Sequence, residues 1–203
     1  MPREHPVFAW FYETMSRPAE WLGAQSGMNR MRSRLVASLD GRVLEVGAGN
    51  GLNFGHYAPH AAVVGLEPDW QMLRRAVPRA NASRARISLV AADGETLPFA
   101  SGSFDAVVSC LVLCTVPDAN RALAEMRRVL RPGGQLHFVE HVRARPGWLA
   151  SVQDAVDPAW AWMFAGCHPN RDTKGAIESA GFRIEKMKEG AGGMMIRGRA
   201  LKA

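Results

Sequence analysis

The chain has 203 residues, 47% hydrophobic and 22% charged, with a formal net charge of +6. That balance excludes a disordered or collagen-like polymer and fits one globular domain large enough to bury its core without staples. Three scattered cysteines (Cys110, Cys114, Cys167) argue against a secreted disulfide framework. With no CxxC or His-rich run, no metal site is expected. No apolar run approaches the roughly 20 residues of a membrane span and no secretory leader is visible, so a cytoplasmic protein is expected. The basic residues are mostly arginines dispersed over helical surfaces, a solvated pattern, so no nucleic-acid partner is expected.

Taken in order, residues 6–39 read as helical. Trp21, Leu22, Met28, Met31, Leu35, Val36 and Leu39 recur at helical spacing, and Pro18 splits the stretch into at least two helices. Asp40-Gly41 signals a turn. The period then changes. Short apolar strands are expected at 42–46, 61–66, 86–91, 104–109 and 135–140, with helices at 71–80 and 119–130, the second stopped by Pro132-Gly133-Gly134. Strands alternating with helices imply βα units, a parallel sheet and helices on both faces. The tail departs from this alternation. A helix at 174–180 precedes two strands, 182–189 and 194–201, joined by the Gly-rich link at 190–193, which implies an antiparallel hairpin. The expected organisation is a single domain over 1–203, with an N-terminal helical cap (1–39), a ligand-binding core (40–142), an insertion (143–173) and a C-terminal helix and hairpin (174–203).

The chemistry is concentrated at strand ends. Glu45-Val46-Gly47-Ala48-Gly49-Asn50-Gly51 follows the first strand, where glycines let the backbone turn sharply and approach a ligand. A dinucleotide fingerprint would need its third glycine at position 52, which is Leu, and no Gly-Lys-Ser/Thr follows for a P-loop. The loop therefore suits the amino-acid end of a nucleoside ligand rather than a pyrophosphate. Glu67, twenty residues after Gly47, stands where an acid accepts from ribose hydroxyls in nucleotide-binding α/β folds. Asp93, after the third strand and before Gly94, could accept from an adenine amine or serve as a turn-forming Asp.

These features resemble the class I S-adenosylmethionine (SAM)-dependent methyltransferases of the methyltransferase domain 11 type. Val43 to Gly51 is similar to their first motif, Glu67 to their ribose acid, Asp93 to their adenine-side acid, Leu97 to Val108 to their fourth-strand motif, and Leu130 to Gly134 to their turn before strand five. The resemblance covers residues 40–142. It implies a Rossmann-like, seven-stranded, mostly parallel sheet with the last strand antiparallel, and SAM as cofactor with S-adenosylhomocysteine as product. The implied cofactor residues are Glu45, Gly47, Ala48, Gly49, Gly51, Glu67, Pro68, Asp93, Gly94, Cys110 and Leu111.

A narrower resemblance, to the methyltransferase-like seven family of thiol methyltransferases, rests on Asp157-Pro158, Trp160, Gly166-Cys167 and Arg171. It implies a small thiol as acceptor. The acceptor pocket is then expected to include Tyr12, Cys114, Trp160, Cys167 and Arg171. His141, at the end of strand five, and His168 are the two candidate bases. The aromatic residues Phe8, Trp10, Phe11 and Tyr12 are expected to meet Trp148, Trp160, Trp162 and Phe164 as a lid suited to an apolar acceptor. Three alternatives stay open: a lipid or quinone/phenol methyltransferase in peripheral contact with a membrane surface, a non-catalytic SAM-binding protein, and an RNA-binding protein. Base methylation is disfavoured, because Ser109-Cys110-Leu111-Val112 stands where a nucleic-acid amino methyltransferase carries an Asn/Asp-Pro-Pro-Tyr type motif. Oligomeric state is not legible.

Overall fold

The computed structural model describes residue 14, residues 27–145 and residues 147–203. Tyr12, the aromatic patch around it and, apart from residue 14, the helix expected before Pro18 lie outside the described residues.

The sheet is built as the alternation implied. β1 (Arg42–Val46), β2 (Ala62–Leu66), β3 (Arg86–Val90), β4 (Phe104–Cys110), β5 (Leu130–His141), β6 (Phe182–Gly190) and β7 (Met195–Lys202) line up in the order β3-β2-β1-β4-β5-β7-β6. β1 pairs in parallel with β2 and β4, β2 with β3, and β4 with β5, whereas β7 runs antiparallel to both β5 and β6. The short link at 190–193 forces that reversal. It closes as a single 3-10 turn over Ala191–Gly193, too short for a parallel crossover.

Side-chain alternation along β1 sorts the core into two layers. Leu44 and Val46 face one cluster with Leu123, Met126, Val129 and Ile177, which come from α3 (Ala119–Val129) and α5 (Thr173–Ser179). Val43 faces the other, with Leu35 and Val36 of α1 (Gly27–Val36) and Ala76 of α2 (Trp70–Ala82). Asp69 and Asp118 cap α2 and α3, each side chain accepting from two backbone N–H groups of the first turn.

Two regions differ from expectation. β5 begins at Leu130, five residues early. Leu130 leaves α3 already extended and pairs with Phe104, so Pro132-Gly133-Gly134 is a bulge within the strand, with a register shift opposite, rather than a loop before it. The insertion is one 17-residue helix, α4 (Gly147–Met163), with Pro158 inside it. Its apolar residues surround the axis, so no helical period marks it in the sequence. Only Ala150 and Gln153 are buried, while Trp148, Val152, Val156, Trp162 and Met163 are exposed. No helix among the described residues is long and apolar enough to cross a membrane.

Candidate functional site

A cavity of about 300 Å³ opens at the carboxyl ends of β1, β2, β4 and β5, where open α/β sheets place their ligands. Gly47, Ala48, Gly49 and Asn50 form its floor after β1. Gly47 has φ +65°, and a Cβ there would lie 2.5 Å from Val112 Cγ2, so only glycine lets the loop pass under the β4 exit. Gly51 has a different role from the one expected. It is not part of the cavity wall, and a Cβ there would strike the Phe54 ring at 2.7 Å, so it serves packing.

Glu67, Pro68 and Asp69 follow β2 along the wall. Glu67 is buried; Oε2 accepts from Gly49 N and Oε1 from Asp69 N, both at 2.9 Å. The carboxylate thus ties the glycine loop to the tip of β2. Burial pushes its pKa up to about 7 against those hydrogen bonds. Asp93 and Gly94 also line the cavity, and Asp93 Oδ1 accepts from Glu95 N at 2.9 Å, so Asp93 shapes its turn as well. Cys110 and Leu111 form the wall after β4. Leu111 takes φ +61°, rare for a branched side chain, and is held there by its N–H donating to Val139 O at 2.8 Å. Burial pushes the Cys110 thiol up to about 11, which suits a wall rather than a nucleophile.

Glu45 falls on the α1 face of β1. Its carboxylate accepts from Asn53 Nδ2 and Tyr57 Oη, each at 2.7 Å, and burial raises its pKa to about 7. Arg32 of α1 donates to Asn53 Oδ1 at 3.0 Å. Arg32, Asn53 and Asn50 line the cavity and were not anticipated from the sequence. Arg32 meets Asn53 across 21 residues and Asn53 meets Glu45 across 8, spacings that belong to no sequence motif. Asn50 is buried and its Nδ2 has no protein partner.

At the other end of the cavity stand Cys114, His141, Trp160, Phe164 and Cys167. The Cys114 and Cys167 sulfurs are 3.5 Å apart, and His141 Nδ1 lies 3.6 Å and 3.4 Å from them. Hydrogen bonding between the two sulfurs raises the Cys114 pKa and lowers that of Cys167, while Cys167 raises that of His141. Trp160 stacks against Phe164 with ring centroids 4.3 Å apart.

Two expected site residues lie elsewhere. His168 is not on the cavity wall; its Nδ1 pairs with Asp157 Oδ2 at 2.9 Å. Arg171 also lies off the wall, because its Nη1 is committed to the carbonyls of Leu113 (2.8 Å) and Val116 (2.6 Å). It braces the loop after β4 from behind.

Comparison with known proteins agrees with this architecture. Residues 44–138 match the family model described as a methyltransferase domain. The chain is 38% identical over 150 residues to a thiol S-methyltransferase of Homo sapiens, an alignment spanning 72% of this chain and 62% of the relative, so it covers less than two thirds of that protein. It is 31% identical over 177 residues to a ubiquinone/menaquinone biosynthesis C-methyltransferase of Syntrophotalea carbinolica, covering 76% of this chain and 74% of that one. The fold matches a SAM-dependent methyltransferase structure from Thermotoga maritima, with TM-score 0.67, 22% identity and coverage of 97% and 98%. With a methyltransferase relative covered over about three quarters of its length and a fold shared with a SAM-dependent methyltransferase, the chain belongs to the class I SAM-dependent methyltransferase family.

Proposed function

We propose that this protein transfers a methyl group from SAM to a small-molecule thiol, releasing S-adenosylhomocysteine. The observation that carries this reading is a single cavity with two chemically distinct ends: Gly47, Gly49, Asn50 and Glu67 at one, and Cys114, His141, Cys167, Trp160 and Phe164 at the other. The first end fits the donor. The bare loop at Gly47 admits an amino-acid moiety, the buried and unpartnered Asn50 Nδ2 is a donor suited to its carboxylate, Glu67 accepts from ribose hydroxyls, and Asp93 from the adenine amine. Cys110, Leu111 and Val112 supply the wall between the two ends.

When bound, SAM supplies a methyl group on a sulfonium whose charge disappears as the acceptor attacks. The protein's task is to align donor and acceptor and exclude water, a contribution worth up to ~7–11 kcal/mol in well-oriented systems. An alkyl thiol, with a reference pKa of about 8.5, ionises with little help. Trp160 and Phe164 give its carbon chain an apolar wall, and the Cys114–His141–Cys167 cluster faces its sulfur. Of the two candidate bases, His141 is the one on the cavity wall and is assigned to the acceptor end. The test is a methyl-transfer screen with thiols, phenols, quinones and amines, read as S-adenosylhomocysteine release. Alkyl thiols are expected to turn over at least tenfold faster than the others; transfer to quinones or amines but not to thiols would overturn the reading.

A second reading rests on α4. Trp162, 86% exposed, lies at the helix end that lines the cavity, and Trp148, 72% exposed, at the opposite end of the same helix. Such aromatics suit an interfacial helix delivering a lipid-soluble phenol or quinone. Stimulation of turnover by anionic vesicles, abolished by Trp162→Ser, would favour it.

A further inference from the structure

Cys114, His141 and Cys167 come from three separate places: the loop after β4, the end of β5 and the reversal after α4. Their ligand atoms lie within 4.8 Å of one another. The spacing is informative. Sulfur at ~2.3 Å and imidazole nitrogen at ~2.0–2.1 Å from one tetrahedral ion would be separated by about 3.8 Å (S to S) and about 3.6 Å (S to N). The three observed separations, 3.5, 3.6 and 3.4 Å, fall within about 0.3 Å of those edges.

The backbone holds the three positions independently of any side-chain contact among them. His168 N–H donates to Cys114 O at 2.7 Å, which ties the Cys167 segment to the Cys114 loop. Thr173 Oγ1 donates to His141 O at 2.9 Å. The chain reverses before Cys167 through Ala165 at φ +50° and Gly166 at φ +86°, and Ala165 in that region is strained. Such strain persists where the surroundings impose a geometry.

We propose that these three side chains bind one zinc ion, with Cys114 and Cys167 as thiolates and His141 through Nδ1, leaving a fourth position open to the cavity that all three residues line. Two thiolates and an imidazole form a donor set that selects zinc over hard cations. Three protein ligands plus one open position is the pattern of a catalytic rather than a structural zinc. Binding the ion displaces the two thiol protons to solvent. The open position takes the acceptor thiol as its thiolate, with a third proton released. Methyl transfer then forms a carbon–sulfur bond at the acceptor and breaks one at the sulfonium, and the neutral thioether, a poor ligand, departs. This inference rests on the thiol reading above and extends it to how the sulfur is held and ionised.

The test uses the full chain, purified with a phosphine reductant. Titration with zinc is expected to reach one ion per chain. Cobalt in its place should give thiolate charge-transfer absorption and the intense visible bands of a four-coordinate site. Propane-1-thiol should shift those bands, and propan-1-ol should not. Cys167→Ser and His141→Asn should each lose the stoichiometric ion while keeping SAM affinity by calorimetry, which shows that the variants fold. Absence of stoichiometric metal in the reduced parent, a Cys114–Cys167 disulfide in its place, or bands unmoved by the thiol would each overturn the proposal. Metal-free protein that methylates thiols at full rate would overturn the zinc site and leave the thiol reading standing. Zinc binding with no thiol methylation would overturn the reading beneath it.

Discussion

Acidification from about pH 8 to about pH 6 should weaken adenosyl binding about tenfold, through Glu67. Burial raises this carboxyl to about 7 in the ligand-free protein. Ribose hydroxyls donate to the carboxylate, whereas a protonated carboxyl offers fewer acceptor sites and a competing donor. Ligand therefore selects the ionised form, which predominates above about 7, and each pH unit below that costs about 1.4 kcal/mol. At about pH 6 roughly one chain in eleven is ionised, hence the tenfold loss. The clean probe is 5′-methylthioadenosine, which keeps the ribose and adenine and lacks the titrating amine of SAM. Calorimetry in buffers of differing ionisation heat should also find close to one proton released per ligand at about pH 6. Glu67→Gln should flatten the pH dependence and cost about 1.5–3 kcal/mol of affinity at about pH 8, the range for a charged hydrogen bond. Equal affinity across this range in the parent, or an unchanged slope in Glu67→Gln, would refute the reasoning.

Other expectations follow from the same site. Glu45 also sits at about 7 rather than 4.5, so the folded state holds its proton more tightly than the unfolded chain; this contribution is present below about pH 4.5 and lost as pH rises to about 7. Stability of Glu45→Gln relative to the parent should therefore grow over that window in denaturant titrations, a difference in which the opposing effect of His137, lowered by burial, cancels. Gly47→Ala should cost about 1–2 kcal/mol for the left-handed backbone and lose SAM binding, because the new methyl must displace Val112; melting and calorimetry report the two effects separately. Arg171→Ala removes both hydrogen bonds that brace the loop after β4 and should lower stability by about 2 kcal/mol, with a raised KM for the acceptor. Trp160→Ala should raise the KM for a long alkyl thiol more than for a short one, since only the longer chain reaches the wall that Trp160 and Phe164 form.

The sheet and the strand-tip residues that line the cavity after β1, β2 and β3 were legible because they are written locally. A βα unit places its ligand groups within a few residues of a strand end, so Gly47, Glu67 and Asp93 announce themselves through strand period, turn chemistry and spacing. Gly51 and Arg171 show the limit of that reasoning. Each belongs to a recognisable stretch, yet one packs on Phe54 and the other reaches backbone carbonyls more than fifty residues away. Helix α4 was hidden because its apolar residues surround the axis and Pro158 interrupts the pattern.

The Cys114–His141–Cys167 cluster depended on three-dimensional packing. Cys114 and His141 are 27 residues apart, and Cys114 and Cys167 are 53 apart. Neither spacing resembles a ligand motif, and the one pair close in sequence, Cys110 and Cys114, does not join the cluster. What brings the three side chains together is the parallel pairing of β4 with β5 and the return of the chain after α4 onto the Cys114 carbonyl. Periodicity and turn residues encode which groups stand at each strand tip. Which tips face one another across a cavity depends on strand order and on the long-range hydrogen bonds that close the fold.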